Sequence, residues 1–209
     1  GGVNLPEPGF LEGLREVADS VGALLVFDEV QTGMARTGSW YGYQHYGVQP
    51  DVMTVAKGLT SGYCPMGAVF LSDKVYETIA DGAGASAIGH GYTYSAHPVA
   101  AAVALENLRI LDEDGIVDRV AKVTAPYLKA RWESLTDHPM VGEAKIVGMM
   151  GSIALTPDKD SRARFAADAG TVGLICRERC FANNLVMRHV GDRMIISPPL
   201  VISESEIDL

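Results

Sequence analysis

The sequence predicts an α/β protein in which a mostly parallel sheet forms a large domain and a smaller α+β domain follows it. The first observation behind this prediction is a helical apolar pattern leading into the continuous apolar run 23–27, which is typical of a strand buried on both faces of a parallel sheet. The second is a pair of further short strands at 51–56 and 66–71. The third is a helix-rich stretch from 97 to 135, after which strands and one helix alternate.

The elements of the first half follow from residue spacing. Pro8 opens a helix and Gly22 ends it. The apolar stripe of that helix comprises Phe10, Leu14, Val17, Ala18 and Val21. Residues 31–50 are rich in glycine and aromatic side chains and are expected to be mostly irregular. The loop 58–65 is too short for a crossover, so the third strand should run antiparallel to the second.

The rear half changes character after the helices. A kink is expected at Pro126, and the final SESEIDL has the pattern of an N-capped helix that is just beginning. We place the domain boundary near residue 110, which gives a large domain over 1–110 and a small domain over 111–209. The elements expected beyond residue 96 are helices at 97–111 and 116–135, a strand at 146–155, a helix at 172–181 and strands at 185–190 and 194–197.

Composition and charge exclude several classes of protein. The 209 residues carry a net charge of −9 without a basic run, which argues against nucleic-acid binding. No apolar stretch approaches the roughly 20 residues that span a bilayer, and the chain does not open on a signal-peptide pattern. The three cysteines, Cys64, Cys176 and Cys180, predict reduced thiols in a cytoplasmic protein. No ligand-spaced histidine accompanies them, so we predict no metal site.

Two oppositely charged residues stand where strands end. Asp28 follows the first predicted strand and Lys57 follows the second, and ligands of open α/β sheets bind at the carboxyl ends of strands. Period-two alternation places Asp28 and Val30 on one face and Glu29 on the other, so Glu29 is expected to be structural. By spacing alone, a simple Asp28–Lys57 ion pair explains the pattern equally well.

Three strings of residues decide between these interpretations. The strings are VFDEVQTGMARTG, TVAKGLTSGYCPMGAV and HGYTYSAHPVAAA. Together, in this order and spacing, they resemble the class III aminotransferases, which are pyridoxal-phosphate (PLP) enzymes of fold type I, the aspartate-aminotransferase-like architecture. The rear segment NNLVMRHVGDRMIISPPL is similar to that of the ω-amino acid or amine:pyruvate aminotransferases.

The resemblance implies roles for four residues around the cofactor ring. Lys57 matches the Schiff-base lysine, which binds the cofactor aldehyde and later shuttles a proton. Asp28 matches the carboxylate beside the pyridine nitrogen, where it raises the pKa of that nitrogen and keeps it protonated. Val30 would pack flat against the ring, and Gln31 would hydrogen-bond its phenolic oxygen.

Two further positions extend the implied site. Thr93, together with the backbone amide of Tyr92, matches the group that binds the PLP phosphate of the neighbouring subunit. This implies a homodimer with shared active sites and leaves a tetramer open. Arg188 matches the arginine that captures a substrate carboxylate. A turn threonine and an ordinary surface arginine are the alternatives.

The implied activity is transfer of an amino group from an amine or ω-amino acid to a small keto acid such as pyruvate, in ping-pong order. An aminomutase, a decarboxylating aminotransferase and a non-catalytic PLP-binding homologue remain alternatives. A nicotinamide-dependent dehydrogenase is discounted because no G-x-G-x-x-G opens a helix after a strand.

We also expect the chain to be the middle and rear of a larger protein. By the resemblance, the glycine- and serine-rich phosphate loop and the aromatic residue that stacks on the ring lie upstream of residue 1. The stretch alone is therefore expected to hold PLP weakly or not at all.

Overall fold

The computed structural model describes residues 2–81 and 91–209, and within them the chain forms two compact units. The first unit comprises Pro6–Ala35 and Ser39–Val117, and the second comprises Gly1–Leu5, Arg36–Gly38 and Asp118–Leu209. The linear division into 1–110 and 111–209 did not anticipate that two short early segments group with the rear of the chain.

The first unit contains a three-stranded sheet of order β1-β2-β3. Strand β1 pairs in parallel with β2, and β2 pairs antiparallel with β3, as the loop length predicted. Helix α3 was not predicted. The elements are α1 (Phe10–Val21), β1 (Val26–Asp28), α2 (Gly42–Tyr46), β2 (Val52–Val55), a 3-10 helix (Lys57–Thr60), β3 (Ala68–Leu71), α3 (Asp73–Asp81) and α4 (Pro98–Glu113).

A partly buried carboxylate connects α1 to the start of the parallel strands. Asp51 accepts hydrogen bonds from the backbone N–H of Leu25 and from Arg15 Nη1, each at 2.7 Å. These two donors hold the pKa of Asp51 below its ordinary value, with the Leu25 amide the larger cause. The arrangement links the helix to the residues that precede β1 and β2.

Strand β1 is shorter and more exposed than predicted. It spans three residues, and Val26 is 56% exposed. Of the apolar stripe on α1, only Ala18 is buried. The prediction of a strand covered on both faces is therefore wrong for the described residues. A continuous apolar run shows that a strand can be buried but does not supply the layers that bury it.

The second unit is built on a four-stranded antiparallel sheet of order β4-β5-β7-β6. Trp132 packs within this unit and donates its indole N–H to the Ser152 carbonyl at 3.2 Å. The predicted α+β character of this region is confirmed. The elements from residue 116 onward are α5 (Ile116–Arg119), a π-helical turn (Val120–Thr124), α6 (Ala125–Ser134), a 3-10 turn (Leu135–Asp137), β4 (Val141–Val147), β5 (Met150–Leu155), α7 (Thr171–Ala182), β6 (Arg188–Val190), β7 (Arg193–Ile196) and α8 (Glu204–Ile207).

The single strand predicted at 146–155 is instead a hairpin of β4 and β5. Gly148 lies at the turn with φ of 54°, a conformation that favours glycine. A Cβ at this position would lie 2.2 Å from the Arg36 carbonyl oxygen, and that oxygen accepts a hydrogen bond from Met149 N at 2.7 Å. The glycine was visible in the sequence, but the backbone that approaches it was not.

The kink predicted at Pro126 takes the form of a π-helical turn. Proline has no N–H to donate and cannot continue an α-helical ladder at its own position. The chain widens over Val120–Thr124, and α6 starts afresh at Ala125 with Pro126 in its first turn. Val120 and Thr124 are fully buried, so the widened turn is part of the core of the second unit.

Candidate active site

Two predicted site residues lie at the same edge of the first unit's sheet. Asp28 is the last residue of β1, and its register partner on the parallel strand β2 is Thr54. The backbone N–H of Glu29 continues this pairing by donating to the Thr54 carbonyl at 2.9 Å. Lys57 follows Thr54 by three residues. The acid and the amine therefore stand at the carboxyl ends of neighbouring parallel strands, where α/β sheets bind ligands.

The Asp28 carboxylate ends its own strand. Its Oδ1 accepts a hydrogen bond from Val30 N at 2.9 Å, which is an Asx turn. The strand ends at Asp28, so strand alternation alone does not place the Val30 side chain, and its packing against a cofactor ring stays a prediction. Val30 is half-buried in the turn and Gln31 is exposed. Among the residues that the structure describes, no donor reaches the second oxygen, Oδ2, so one acceptor remains available at the sheet edge.

Lys57 has an unusual backbone. It begins the 3-10 helix with φ of 42°, in the left-handed region that non-glycine residues rarely adopt. Such a conformation costs about 1–3 kcal/mol and persists only where the surroundings enforce it, which is frequent at functional sites. The side chain is exposed, and no carboxylate within the described ranges forms an ion pair with it. The alternative of a simple Asp28–Lys57 ion pair is therefore not observed.

Gly58, the residue after Lys57, allows the 3-10 helix to pack closely against Met34. A Cβ on Gly58 would lie 2.8 Å from Cβ of Met34, so only glycine lets the backbone pass this closely. Met34 is itself buried and has φ of 56°. The 3-10 helix is thus seated against a second strained segment of the chain.

Glu29 is buried and organises the loop that follows β1. Its side chain is 3% exposed. It accepts hydrogen bonds from Gly42 N at 2.8 Å, from Tyr43 N at 2.7 Å and from the Thr32 hydroxyl. These donors belong to the loop and to the first turn of α2, where a carboxylate is favoured. The structural role predicted for Glu29 agrees with these contacts.

We expect Glu29→Gln to lower the free energy of unfolding by about 1–3 kcal/mol. The carboxamide presents an NH₂ group to one of the two backbone N–H donors, so a buried donor loses its acceptor. The measurement is urea denaturation of the full-length protein. Glu16→Gln, an exposed change on α1, is the matched control. Equal stability of the Glu29 variant and the wild type would contradict this account.

Thr93 and Tyr92 lie in an exposed turn before α4. The Tyr92 amide, predicted to donate to a phosphate, instead donates to Ser95 Oγ at 2.9 Å. Ser95, three residues further along the chain, accepts from that amide in this structure, and the phosphate-binding role of Tyr92 stays a prediction. Thr93 keeps an exposed hydroxyl. His90, within one of the motif strings, lies outside the described residues.

Arg188 belongs to the second unit. It is the first residue of β6, an outer strand of the four-stranded sheet, and its side chain is exposed. No carboxylate in the described part of the chain lies within ion-pair distance of it. The guanidinium is therefore available for an external carboxylate. Arg36 donates to the Pro198 carbonyl, and burial lowers the pKa of its guanidinium.

The donor set at the sheet edge fits PLP. The cofactor needs an amine for its aldehyde and a carboxylate for its ring nitrogen, and Lys57 and Asp28 offer both groups without competing ion pairs among the described residues. In those same ranges, no cluster of three or more His, Cys, Asp or Glu side chains could hold a metal ion. None of the helices in these ranges combines the length and the hydropathy that a membrane span requires. The three cysteines are free thiols.

The whole chain, residues 1–209, matches the family model for class III aminotransferases. The chain belongs to this family. It is 53% identical over 208 residues to a putrescine–pyruvate aminotransferase of Pseudomonas aeruginosa, covering all of this chain and 44% of that protein. It is 38% identical over 208 residues to an omega-aminotransferase of Caulobacter vibrioides, covering 99% of this chain and 46% of that one.

Solved structures agree with this assignment to the class III aminotransferases. An omega transaminase of Pseudomonas jessenii in complex with PMP superimposes with a TM-score of 0.93 at 38% identity, over 99% of this chain and 46% of that one. A transaminase with L-ala gives a TM-score of 0.94 at 34% identity, over 99% and 49%. The predicted fold, that of PLP-dependent transferases of fold type I, is confirmed. The chain spans about half the length of the curated relatives it matches.

Proposed function

We propose that the protein containing this chain is a PLP-dependent aminotransferase that moves an amino group from an amine or ω-amino acid to a small keto acid such as pyruvate. One observation carries the proposal. A carboxylate oxygen of Asp28 and the amine of Lys57 stand at the ends of neighbouring parallel strands without protein partners among the described residues. Membership of the class III family supports a shared cofactor as their common partner.

Lys57 and Asp28 perform the central steps of this proposal. Lys57 would hold the cofactor aldehyde through its amine and, once free, would move a proton at the substrate's reacting carbon. Asp28 holds a proton on the pyridine nitrogen, because a nearby carboxylate favours the charged ring. When bound, PLP supplies an electron-withdrawing ring that stabilises negative charge at that carbon.

The surrounding residues orient the cofactor. Val30, half-buried in the Asx turn, packs against the ring, and the exposed amide of Gln31 hydrogen-bonds the phenolic oxygen. The Thr93 hydroxyl binds the phosphate in the neighbouring subunit, so the active enzyme is a homodimer with shared sites, and pairing of dimers into a tetramer is compatible with it. The free thiols support a reducing, cytoplasmic compartment.

Arg188 captures the carboxylate of the keto acid through paired N–H donors. The amine donor carries no such group when it is a diamine, so the guanidinium must then move aside. The 53% identity to a putrescine–pyruvate aminotransferase supports putrescine as the first donor to assay. β-Alanine and aryl amines are the other donors to compare.

The test is an amine screen with the full-length protein and PLP. We expect alanine to form only when both amine and pyruvate are present, with the parallel double-reciprocal lines of ping-pong kinetics. Turnover without a keto acid would indicate an aminomutase, and release of carbon dioxide would indicate a decarboxylating enzyme. Stable PLP binding without any turnover would indicate a non-catalytic homologue. Each of these three results would overturn the proposal.

A further inference from the structure

Asn107, on α4, makes three hydrogen bonds to the turn that carries Lys57. Its Nδ2 donates to the carbonyls of Gly58 at 2.8 Å and Leu59 at 3.1 Å. Its Oδ1 accepts from the Ser61 hydroxyl at 2.5 Å. One half-buried amide therefore binds the beginning, middle and end of a segment that is distant in sequence. Neither the motif strings nor the spacing of charged residues singled out Asn107.

The turn needs such a partner because it is only four residues long. Leu59 N donates to the Ala56 carbonyl at 2.9 Å, and Ser61 N reaches the Gly58 carbonyl only at 3.3 Å. A 3-10 helix of four residues leaves most of its terminal groups without internal partners. The Leu59 side chain is buried, so an unpaired carbonyl beside it would be costly.

The same turn stores backbone strain at both ends. Lys57 has φ of 42° and Ser61 has φ of 49°, and neither residue is glycine. Strained residues of this kind relax unless the surrounding contacts outweigh the strain. On one side the turn is seated against Met34 at Gly58, and on the other its carbonyls are held by Asn107.

We propose that Asn107 is a positioning residue for Lys57. By pairing the Gly58 and Leu59 carbonyls and the Ser61 hydroxyl, it keeps the 3-10 helix closed and holds the Lys57 backbone in its left-handed conformation. The amine of Lys57 then returns to the same place at the sheet edge in every turnover. This inference rests on the proposed function of Lys57.

The test compares Asn107→Asp with the wild type in the full-length protein. Aspartate has the same shape but no N–H, so it places an acceptor against two carbonyls. Asn183→Asp is the matched control, because Asn183 Nδ2 also donates to a helix carbonyl at 2.8 Å, in the second unit. A milder variant, Ser61→Ala, removes only the third bond and guards against a folding failure.

The first readout is hydrogen exchange of the peptide containing residues 57–63, measured without cofactor. We expect exchange at least about tenfold faster in Asn107→Asp, a smaller increase in Ser61→Ala and no change in Asn183→Asp. The second is the rate at which PLP becomes attached to Lys57, trapped by borohydride and mapped by mass spectrometry. We expect a fall of about tenfold, with kcat reduced similarly and KM for pyruvate unchanged.

The outcomes separate the two proposals. If the wild-type protein attaches no PLP at Lys57, the proposed function fails. If the wild type attaches PLP but Asn107→Asp exchanges and attaches at the wild-type rates, the inference about Asn107 fails while the proposed function stands. Faster hydrogen exchange in Asn107→Asp with unchanged PLP attachment and unchanged kcat would also overturn the inference about Asn107, since this residue would then have only a structural role.

Discussion

Replacing Lys57 with alanine in the full-length protein is expected to reduce transaminase turnover by at least about a thousandfold. No other side chain can both bind an aldehyde covalently as an amine and move a proton at the same carbon. The exposed position of Lys57 means that few packing contacts are lost, so the melting temperature without cofactor should stay close to that of the wild type. The substitution is not expected to relieve the backbone strain at this position, because alanine is also strained in the left-handed conformation.

Turnover and the visible absorbance of the lysine-bound cofactor are measured together. Lys74→Ala, an exposed change on α3 in the same unit, is the control and should leave both unchanged. Full turnover and an unaltered spectrum in the Lys57 variant would defeat the assignment of this residue. Loss of turnover in the Lys74 variant as well would show that the effect is not specific to the sheet edge.

Replacing Asp28 with asparagine is expected to lower kcat by about 10- to 1000-fold, because a neighbouring opposite charge shifts a pKa by about one to three units. Asparagine keeps an Oδ1 that can accept from Val30 N, so the Asx turn should survive. What changes is the group offered to the cofactor ring, which becomes an uncharged amide. The protonated form of the ring is then no longer favoured.

The measurement is the pH dependence of the bound cofactor's spectrum together with kcat. Asp112→Asn, an exposed change on α4, serves as the control for the loss of one negative charge. A melting temperature equal to that of the wild type would show that the fold and the turn are intact. An Asp28 variant with wild-type kcat would contradict the pairing of this carboxylate with a pyridine nitrogen.

Several elements could be predicted because their causes are local. The capping box of Ser203 and Glu206 identified α8, and the short loop after β2 required β3 to run antiparallel. Pro126 interrupts its helix because proline has no backbone N–H. The sequence did not indicate that the interruption would take the form of a π-helical turn. In each case the determining residues lie within a few positions of the effect.

The hairpin at Gly148 and the exposure of β1 could not be predicted in the same way. Gly148 turns beneath the backbone of Arg36, which is far away in sequence. The exposure of Val26 depends on which helices or strands pack over the sheet. A continuous apolar run indicates that a strand can be buried, but it does not indicate whether other elements bury it. Both outcomes depend on contacts between distant segments.

The same distinction between local causes and contacts of distant segments applies to the candidate site. The sequence by itself determined the family, and with it the positions of Asp28 and Lys57 at two strand ends, because strand identity and end residues are encoded in short contiguous strings. The Asx turn of Asp28 and the bond from the Tyr92 amide to Ser95 span only two and three positions, and the sequence analysis missed them. Only the tertiary structure decided that Asn107 bonds to the turn that carries Lys57. The physical reason is that hydrogen bonds and backbone strain are set by which atoms meet in space, and residues about fifty positions apart carry no mark in the sequence that they will meet.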